Sequence, residues 1–434
     1  MSPISIAPSI RDNWCEIRFR YIASTSKGRL PAKGNDQTAE PDPDVDADCL
    51  PYLSMEYLRG DSGASTYVLP EGMVVADDQD VLLLWDGSNA GEFLRAKSGA
   101  VSSTAALVSP IRFDRKFLFW LCKAAEPVIK TFTNGMGIPH VDGEFLRDLV
   151  LPYPKEAETR VRIATYLDSE TARIDGLVAE KKRLLALLEE KRAALISRTV
   201  TRGLDPKARL KPSGQEWLGE IPDHWELCRI KFITAQLDQG SSPIAANTPA
   251  GPDELGILKL SAVSKGRFKR DENKALRGMD KEEQLLALRK GDVLITRGNT
   301  PELVADVTCV PDNEPNLLLP DLIYRLRVQE EKILPEYLAS FLTTAAARVQ
   351  VRRDARGSSG SMVKVSQGHV LDWLTPLPPL SEQTEIVNCL QGAEERFQSM
   401  TRELASSLSL LSERRASLIT AAVTGQIALE EIIK

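Results

Sequence analysis

Ile163-Ala-Thr-Tyr-Leu167 and, 223 residues further on, Ile386-Val-Asn-Cys-Leu390 open two stretches that align without a gap as far as Val200-Thr201 against Val423-Thr424. Near the far end Glu190-Lys-Arg-Ala-Ala-Leu195-Ile-Ser stands over Glu413-Arg-Arg-Ala-Ser-Leu418-Ile-Thr. A repeat this long and regular marks duplicated architecture. In the second copy Leu390, Phe397, Leu404, Leu411 and Leu418 recur every seven residues, with Ile386, Ala393 and Met400 between them. The first copy carries Ile163, Leu167, Ile174, Leu177, Leu184, Leu188 and Leu195 in the same register. Heptad spacing predicts a coiled-coil seam, and a helix of about 40 residues is roughly 60 Å long. The partner expected for each stripe is the other one, since both belong to one chain; the plainer alternative is that each packs only on its own globular domain.

Connectivity predicts the direction of that pair. The first helix leaves one globular segment and the next segment begins soon after its far end, so the second helix must run back. The expected molecule is an antiparallel two-helix rod with a globular domain at each end and approximate two-fold symmetry. Its fold class is mixed α+β: a globular segment over 1–155, a helix over 156–201, a linker over 202–224, a second globular segment over 225–380, a helix over 381–425 and a tail over 426–434.

The linker rests on Gly203, Pro206, Pro212, Gly214, Gly219 and Pro222. The globular segments repeat as well. Trp225 to Ile233 lies over Trp14 to Ile22 at an offset of 211, and Gly291-Asp-Val-Leu-Ile295 answers Gln79-Asp-Val-Leu-Leu83. Arg297-Gly-Asn299 answers the turn from Asp86 to Asn89. Apolar runs predict a buried strand at residues 81–85, an alternating strand at 322–328, and helices at 117–129 and 336–347. Residues 133–137 and 356–361 read as glycine loops. Leu151-Pro-Tyr-Pro154 and Leu377-Pro-Pro-Leu380 read as stops that launch the long helices.

Composition narrows the class. A chain of 434 residues suits two or three domains, and 42% hydrophobic with 27% charged residues is ordinary for a globular protein. No apolar run of membrane-spanning length and no secretory start occurs. Six cysteines scattered singly fit reduced thiols in a cytoplasmic protein. The net charge of -6 weighs against nucleic acid only as an average, because the segments are uneven. Residues 11–34 hold six basic and two acidic side chains, whereas 36–80 hold twelve acids and only Arg59.

Catalytic signatures fail on inspection. The aspartates of Pro41-Asp-Pro-Asp-Val-Asp-Ala-Asp48 lack the glycine and final glutamate of a calcium loop. Gly60-Asp-Ser-Gly-Ala64 has no histidine base arranged for it, since the only histidines are His140, His224 and His369. Asp321 and Glu331 imitate a magnesium-nuclease pair, yet they bracket a strand and stand about 30 Å apart at ~3.3 Å per residue. There is no phosphate loop, no dinucleotide fingerprint and no zinc ligand set. The expectation is a binder with no metal site.

Its binding surface is expected where basic side chains cluster on loops. Residues 259–300 carry eleven lysines and arginines against six acids, and 345–364 carry five against Asp354 alone. Such density draws phosphates, and forked or amide side chains on loops can reach base edges. The second segment offers Lys265, Arg267, Lys269, Arg297, Asn299, Arg352, Arg353, Arg356 and Lys364. The first offers Asn89, Arg95, Lys97, Lys130 and Asn134, beside Arg18, Arg20, Lys27 and Arg29. Two similar readers on a rigid rod predict a bipartite DNA site whose unequal halves flank unread bases. The competing expectation is a coiled-coil scaffold that organises partners without touching DNA.

The repeat plan, the Leu377-Pro-Pro-Leu-Ser-Glu-Gln383 launch, the run from Glu190 to Pro206, and Glu216-Trp-Leu-Gly-Glu-Ile-Pro-Asp-His-Trp225 together resemble the specificity subunit of type I restriction-modification systems. The resemblance covers nearly the whole chain. It implies two target-recognition domains and a helical spacer, a non-catalytic subunit, two copies of an adenine-N6 methyltransferase partner, and a translocating endonuclease partner. S-adenosylmethionine, ATP and magnesium would then belong to those partners, with no cofactor on this chain. The first launch lacks the Glu382-Gln383 pair, so the two helices are expected to engage their methyltransferases unequally.

Overall fold

The computed structural model describes residues 4–6, 13–31, 36–37, 49–60, 62–135, 137–276, 287–359 and 362–428. The aspartate-rich run at 41–48 lies outside them. The chain divides into two compact units, residues 1–182 with 405–434, and residues 183–404.

In the first unit Trp14–Arg18 pairs antiparallel with Val150–Pro154. Residues 151–154 are therefore a strand and not merely a stop, with their prolines in a two-stranded ribbon where few ladder donors are needed. A four-stranded sheet follows in the order Ala23–Lys27, Ala105–Pro110, Val81–Leu84, Phe93–Arg95. All four residues of Val81–Leu84 are buried, as an unbroken apolar run requires of a strand covered on both faces. Helix Arg115–Thr131, capped by Asp114 accepting from the Phe117 amide at 2.9 Å, lays Phe117, Leu118, Leu121 and Ala125 into the core.

The second unit repeats the plan. Glu226–Arg229 pairs with Leu374–Leu377, and the four-stranded sheet runs Thr234–Gln239, Ile323–Val328, Val293–Thr296, Val307–Cys309. Strand order is the same in both units. The helix expected at 336–347 is two, Pro335–Leu342 and Ala345–Asp354, because Thr344 accepts from the Ala347 amide and starts a new one. Within the expected linker, Leu210–Pro212 and Glu220–Pro222 form a hairpin that buries Ile221.

Two long helices, Ala157–Arg202 and Leu380–Val423, contribute to both units. Residues 157–182 share the first unit with 405–423, and 183–202 share the second with 380–404, which is the pairing that antiparallel helices require. Asp175 bonds Arg415 at 2.8 and 3.1 Å in the first unit, and Arg192 bonds Glu394 in the second. The seam is unevenly buried. Ile163, Leu167, Ile174, Ile386 and Leu390 are buried, and Leu188, Leu195, Phe397, Leu404, Leu411 and Leu418 are half-buried. Leu177, Leu184 and Met400 are exposed, contrary to the seam expectation. The physical reason is that the globular cores supply most of the cover: Ile163, Leu167 and Val423 join one core, and Val200, Ile386 and Leu390 the other. Both helices end on a left-handed glycine, Gly203 (φ +74°) and Gly425 (φ +75°), packed against the tryptophan that opens a unit, Trp225 and Trp14 respectively.

The Glu382-Gln383 pair proves to be internal bracing. Glu382 accepts from Trp225 Nε1 at 2.6 Å and lies 2.7 Å from His224 Nε2. Gln383 is fully buried, accepting from the Leu334 amide and donating to the Lys332 and Pro378 carbonyls. At the matching place in the first unit Arg160 donates to the Pro154 and Lys155 carbonyls. The missing pair is thus a local substitution and carries no argument about unequal partner engagement.

Candidate nucleic-acid interface

In the second unit a small antiparallel sheet gathers the basic residues. Gly298–Asn299, Met362–Lys364 and Arg356–Ser359 form it in that order, and Lys364 pairs with both Gly298 and Arg356. The expected loop at 356–361 is a strand as far as residue 359. A Cβ at Gly357 would stand 2.3 Å from the Met362 carbonyl oxygen, so the close approach of these strands depends on glycine. Helix Ala345–Asp354, which carries Arg352, leads within two residues into the strand that begins at Arg356. Arg352, Arg356 and Lys364 are exposed, while Arg297 and Asn299 are half-buried on the adjoining strand. Burial pushes the Tyr324 hydroxyl up, partly offset by the Arg297 guanidinium beside it. This arrangement presents forked donors, an ammonium and an amide from a rigid sheet, the equipment for reading base edges between phosphate contacts.

Other basic residues that the sequence nominated lie outside this sheet or are committed elsewhere. Arg353 makes two bonds of 2.8 and 2.9 Å to Asp354, which also accepts from Trp373 Nε1. Arg267 bonds Glu394 at 3.0 Å and lies 3.5 Å from Glu189, so it braces its hairpin to both long helices and is not a reader. Lys265 adopts a left-handed turn (φ +48°) in that hairpin, its amide donating to Asp306, and Lys269 is exposed beside it. The stretch 265–269 therefore belongs to the helix-facing hairpin, outside the small sheet. Dense charge along the chain did not mean proximity in space.

In the first unit the same ladder is built from isolated bridges. His140 pairs with both Asp86 and Asn134, as Lys364 pairs with both Gly298 and Arg356. Asp86 stands at Gly298 by the offset of 212 that also aligns Val81 with Val293, so His140 occupies the place of Lys364 and Asn134 that of Arg356. Amide bonds of 2.9 and 2.8 Å between Asn134 and His140 close the hairpin. Asn134 also donates to Asp142 at 3.2 Å, and Lys27 pairs with Asp86 at 2.8 Å. Asn89 is exposed on the turn after Asp86, and Lys130 lies 3.8 Å from Glu126. Arg95 is withdrawn: it bonds Asp168 and Gln79 and covers the Phe119 ring at 4.5 Å. Lys97 donates to the Tyr57 carbonyl at 2.6 Å and sits 4.1 Å over that ring. His140 was not nominated from the sequence, because a lone loop histidine gives no signal until the bridge register pairs it with Lys364.

Among the described residues no group of three or more histidines, cysteines, aspartates or glutamates could hold a metal ion. Asp321 and Glu331 lie beyond opposite ends of the strand Ile323–Val328, and Asp321 accepts from Ser242. No helix of the described residues is long and apolar enough to cross a membrane.

Fold and site define a duplicated DNA reader: two units of one topology, each with a polar ladder at the same place, joined by two long helices. Residues 12–185 match the family model of the type I restriction modification DNA specificity domain. The type I restriction enzyme MjaVIII specificity subunit of Methanocaldococcus jannaschii is 25% identical over 430 residues, 98% of this chain and 95% of that one. The EcoBI specificity subunit of Escherichia coli is 19% identical over 97% of this chain and 88% of its own. A solved structure titled for complex assembly and conformational transition of the type I R-M system has the same fold, with a TM-score of 0.67 at 15% identity over 97% of this chain and all of that one. Residues 12–185 thus carry the type I restriction-modification specificity domain, and over nearly its whole length the chain is similar to type I specificity subunits. The role this supports is recognition of DNA sequence, as a non-catalytic component of a type I restriction-modification complex.

Proposed function

We propose that the chain reads a bipartite, asymmetric DNA site, one half per unit, and that the long helices set the number of unread base pairs between the halves. The observation that carries this reading is one ladder built twice with different chemistry: Gly298, Lys364 and Arg356 in the second unit, Asp86, His140 and Asn134 in the first. The same position on the same fold with unlike donors suits two unlike half-sequences. Two methyltransferase copies, a translocating endonuclease, and their S-adenosylmethionine, ATP and magnesium complete the proposed assembly, in the cytoplasm. The exposed Leu177, Leu184 and Leu187 on the first long helix support partner docking along the helices. Sequencing the methylated sites in cells that carry this chain and its methyltransferase tests the reading. A split motif with two different halves is expected, and a continuous or palindromic one would contradict it.

Two further results follow from the ladder and the rod. His140→Ala should relax one position of the first half-site, by ~1–3 kcal/mol if a paired base contact is lost, and leave the second half-site as it was; the methylated motif reads this directly. Removing one heptad from each long helix shortens it by about 10 Å, which is about three base pairs at ~3.4 Å each. The unread gap should contract accordingly while both half-sites keep their sequence, and an unaltered gap would mean that something else is the ruler.

A further inference from the structure

Besides the ladder, one exposed constellation occurs in both units. In the first, Tyr21 is 59% exposed at the end of the turn Phe19–Tyr21, next to Arg18 and Arg20, which both engage Asp148. In the second, at the offset of 211, Phe232 is 59% exposed at the end of the turn Ile230–Phe232, next to Arg229 and Lys231. These engage Asp372 at 2.9 and 3.3 Å. Asp148 and Asp372 are each the last residue of a six-residue helix.

The ion pairs account for part of this locally. An acid at a helix C-terminus is disfavoured by the helix dipole, and the two cations compensate it while tying the short helix to the turn. Nothing in that task calls for a large aromatic ring left mostly in solvent. The units have diverged where unlike bases are to be read, exchanging Asn134 and His140 for Arg356 and Lys364. A surface kept alike in both must do a job common to both, and there are two such jobs: touching the DNA backbone, and holding a partner that binds once per unit. The charge arrangement decides between them. In each copy a carboxylate sits against the two cations and cancels part of the field that would draw phosphates. An aromatic ring flanked by arginine or lysine and an acid is instead the makeup of a protein-interface hot spot.

We propose that Tyr21 with Arg18, Arg20 and Asp148, and Phe232 with Arg229, Lys231 and Asp372, are two equivalent docking points that each receive one copy of the same methyltransferase subunit. This inference rests on the two-copy reading above and gives it an address on each globular unit, apart from the helices. The partner surface it calls for has an apolar pocket for the ring, rimmed by both signs of charge.

The test uses the full-length chain, its methyltransferase subunit, native mass spectrometry and sedimentation, with Tyr21→Ser and Phe232→Ser made separately and together. Each single substitution should weaken one of two methyltransferase sites by about tenfold or more, giving a one-to-one complex at concentrations where the unaltered chain holds two copies. The double variant should lose both. Melting curves that match the parent keep folding out of the comparison. Full two-copy binding by both single variants overturns the docking assignment alone. So does a selective loss of nonspecific duplex affinity with a reduced salt slope, which would reassign the patch to the DNA backbone. An unaltered chain that binds a single methyltransferase overturns the two-copy reading itself, and is seen without any variant.

Discussion

Arg297→Ala is expected to blur one position of the second half-site, raising methylation at sequences that differ there while the first half-site stays sharp. Arg297 stands where the strand Val293–Thr296 passes into the small reading sheet, its amide donating to the Leu322 carbonyl and its carbonyl accepting from Val365. The backbone is thus fixed on both sides, and the substitution removes the side chain with its guanidinium, which also lies beside the Tyr324 hydroxyl. A bidentate arginine contact to guanine discriminates by ~1–3 kcal/mol, about 5- to 150-fold between the right base and a wrong one. Arg297→Lys separates charge from fork: it keeps the phosphate attraction and should recover overall affinity but not the discrimination. Uniform weakening on every sequence, with a salt slope reduced by about one, would make Arg297 a phosphate contact and nothing more.

The second large effect is on stability. Arg325 is 1% exposed in the middle of the strand Ile323–Val328. It bonds Asp238 at 2.7 and 3.0 Å and the Ala287 carbonyl at 2.9 Å, with Asp292 4.0 Å away. Asp292, equally buried, is held by Arg327 at 2.6 Å. Breaking a buried pair from one side strands the opposite charge, so Arg325→Ala should lower the unfolding free energy by about 3–5 kcal/mol. Removing both charges together, as Arg325→Met with Asp238→Leu, should recover most of that loss because no ion is left unpaired. Denaturant melts of the two variants give the answer. A loss below about 1 kcal/mol for the single alanine change would place the pair among weakly coupled surface bridges.

Which parts of this were legible depends on the range over which the physics acts. The heptads, the offsets of 223 and 211, and the apolar run at Val81 are periodic patterns in the chain itself. They gave the two long helices, their antiparallel course and the duplicated domains. The proline-bearing stretch at 151–154 was harder, since a strand that tolerates proline is recognisable only through its partner, Trp14–Arg18. The alternation at 322–328 gave the strand but not the surroundings of Arg325. Its burial could not be seen, because the acids that neutralise it, Asp238 on one neighbouring strand and Asp292 just before another, lie far along the chain.

The candidate interface divides in the same way. From sequence, charge density nominated both 265–269 and 352–364; the fold puts Arg356 and Lys364 on paired strands of one small sheet and turns Arg267 onto Glu394 and Glu189. Arg95 and Lys97 were plausible readers until Asp168 and Tyr57, far along the chain, were brought against them.

The sequence by itself determined the duplication and the two long helices, because repeats and heptads are properties of spacing along one chain, and its motifs carried the family resemblance. Only the tertiary structure decided which cations are available and which are spent, and that His140 stands where Lys364 does. A side chain's electrostatic partner is chosen by distance in space, and those distances are set by strand register and helix packing between residues that sequence order leaves far apart.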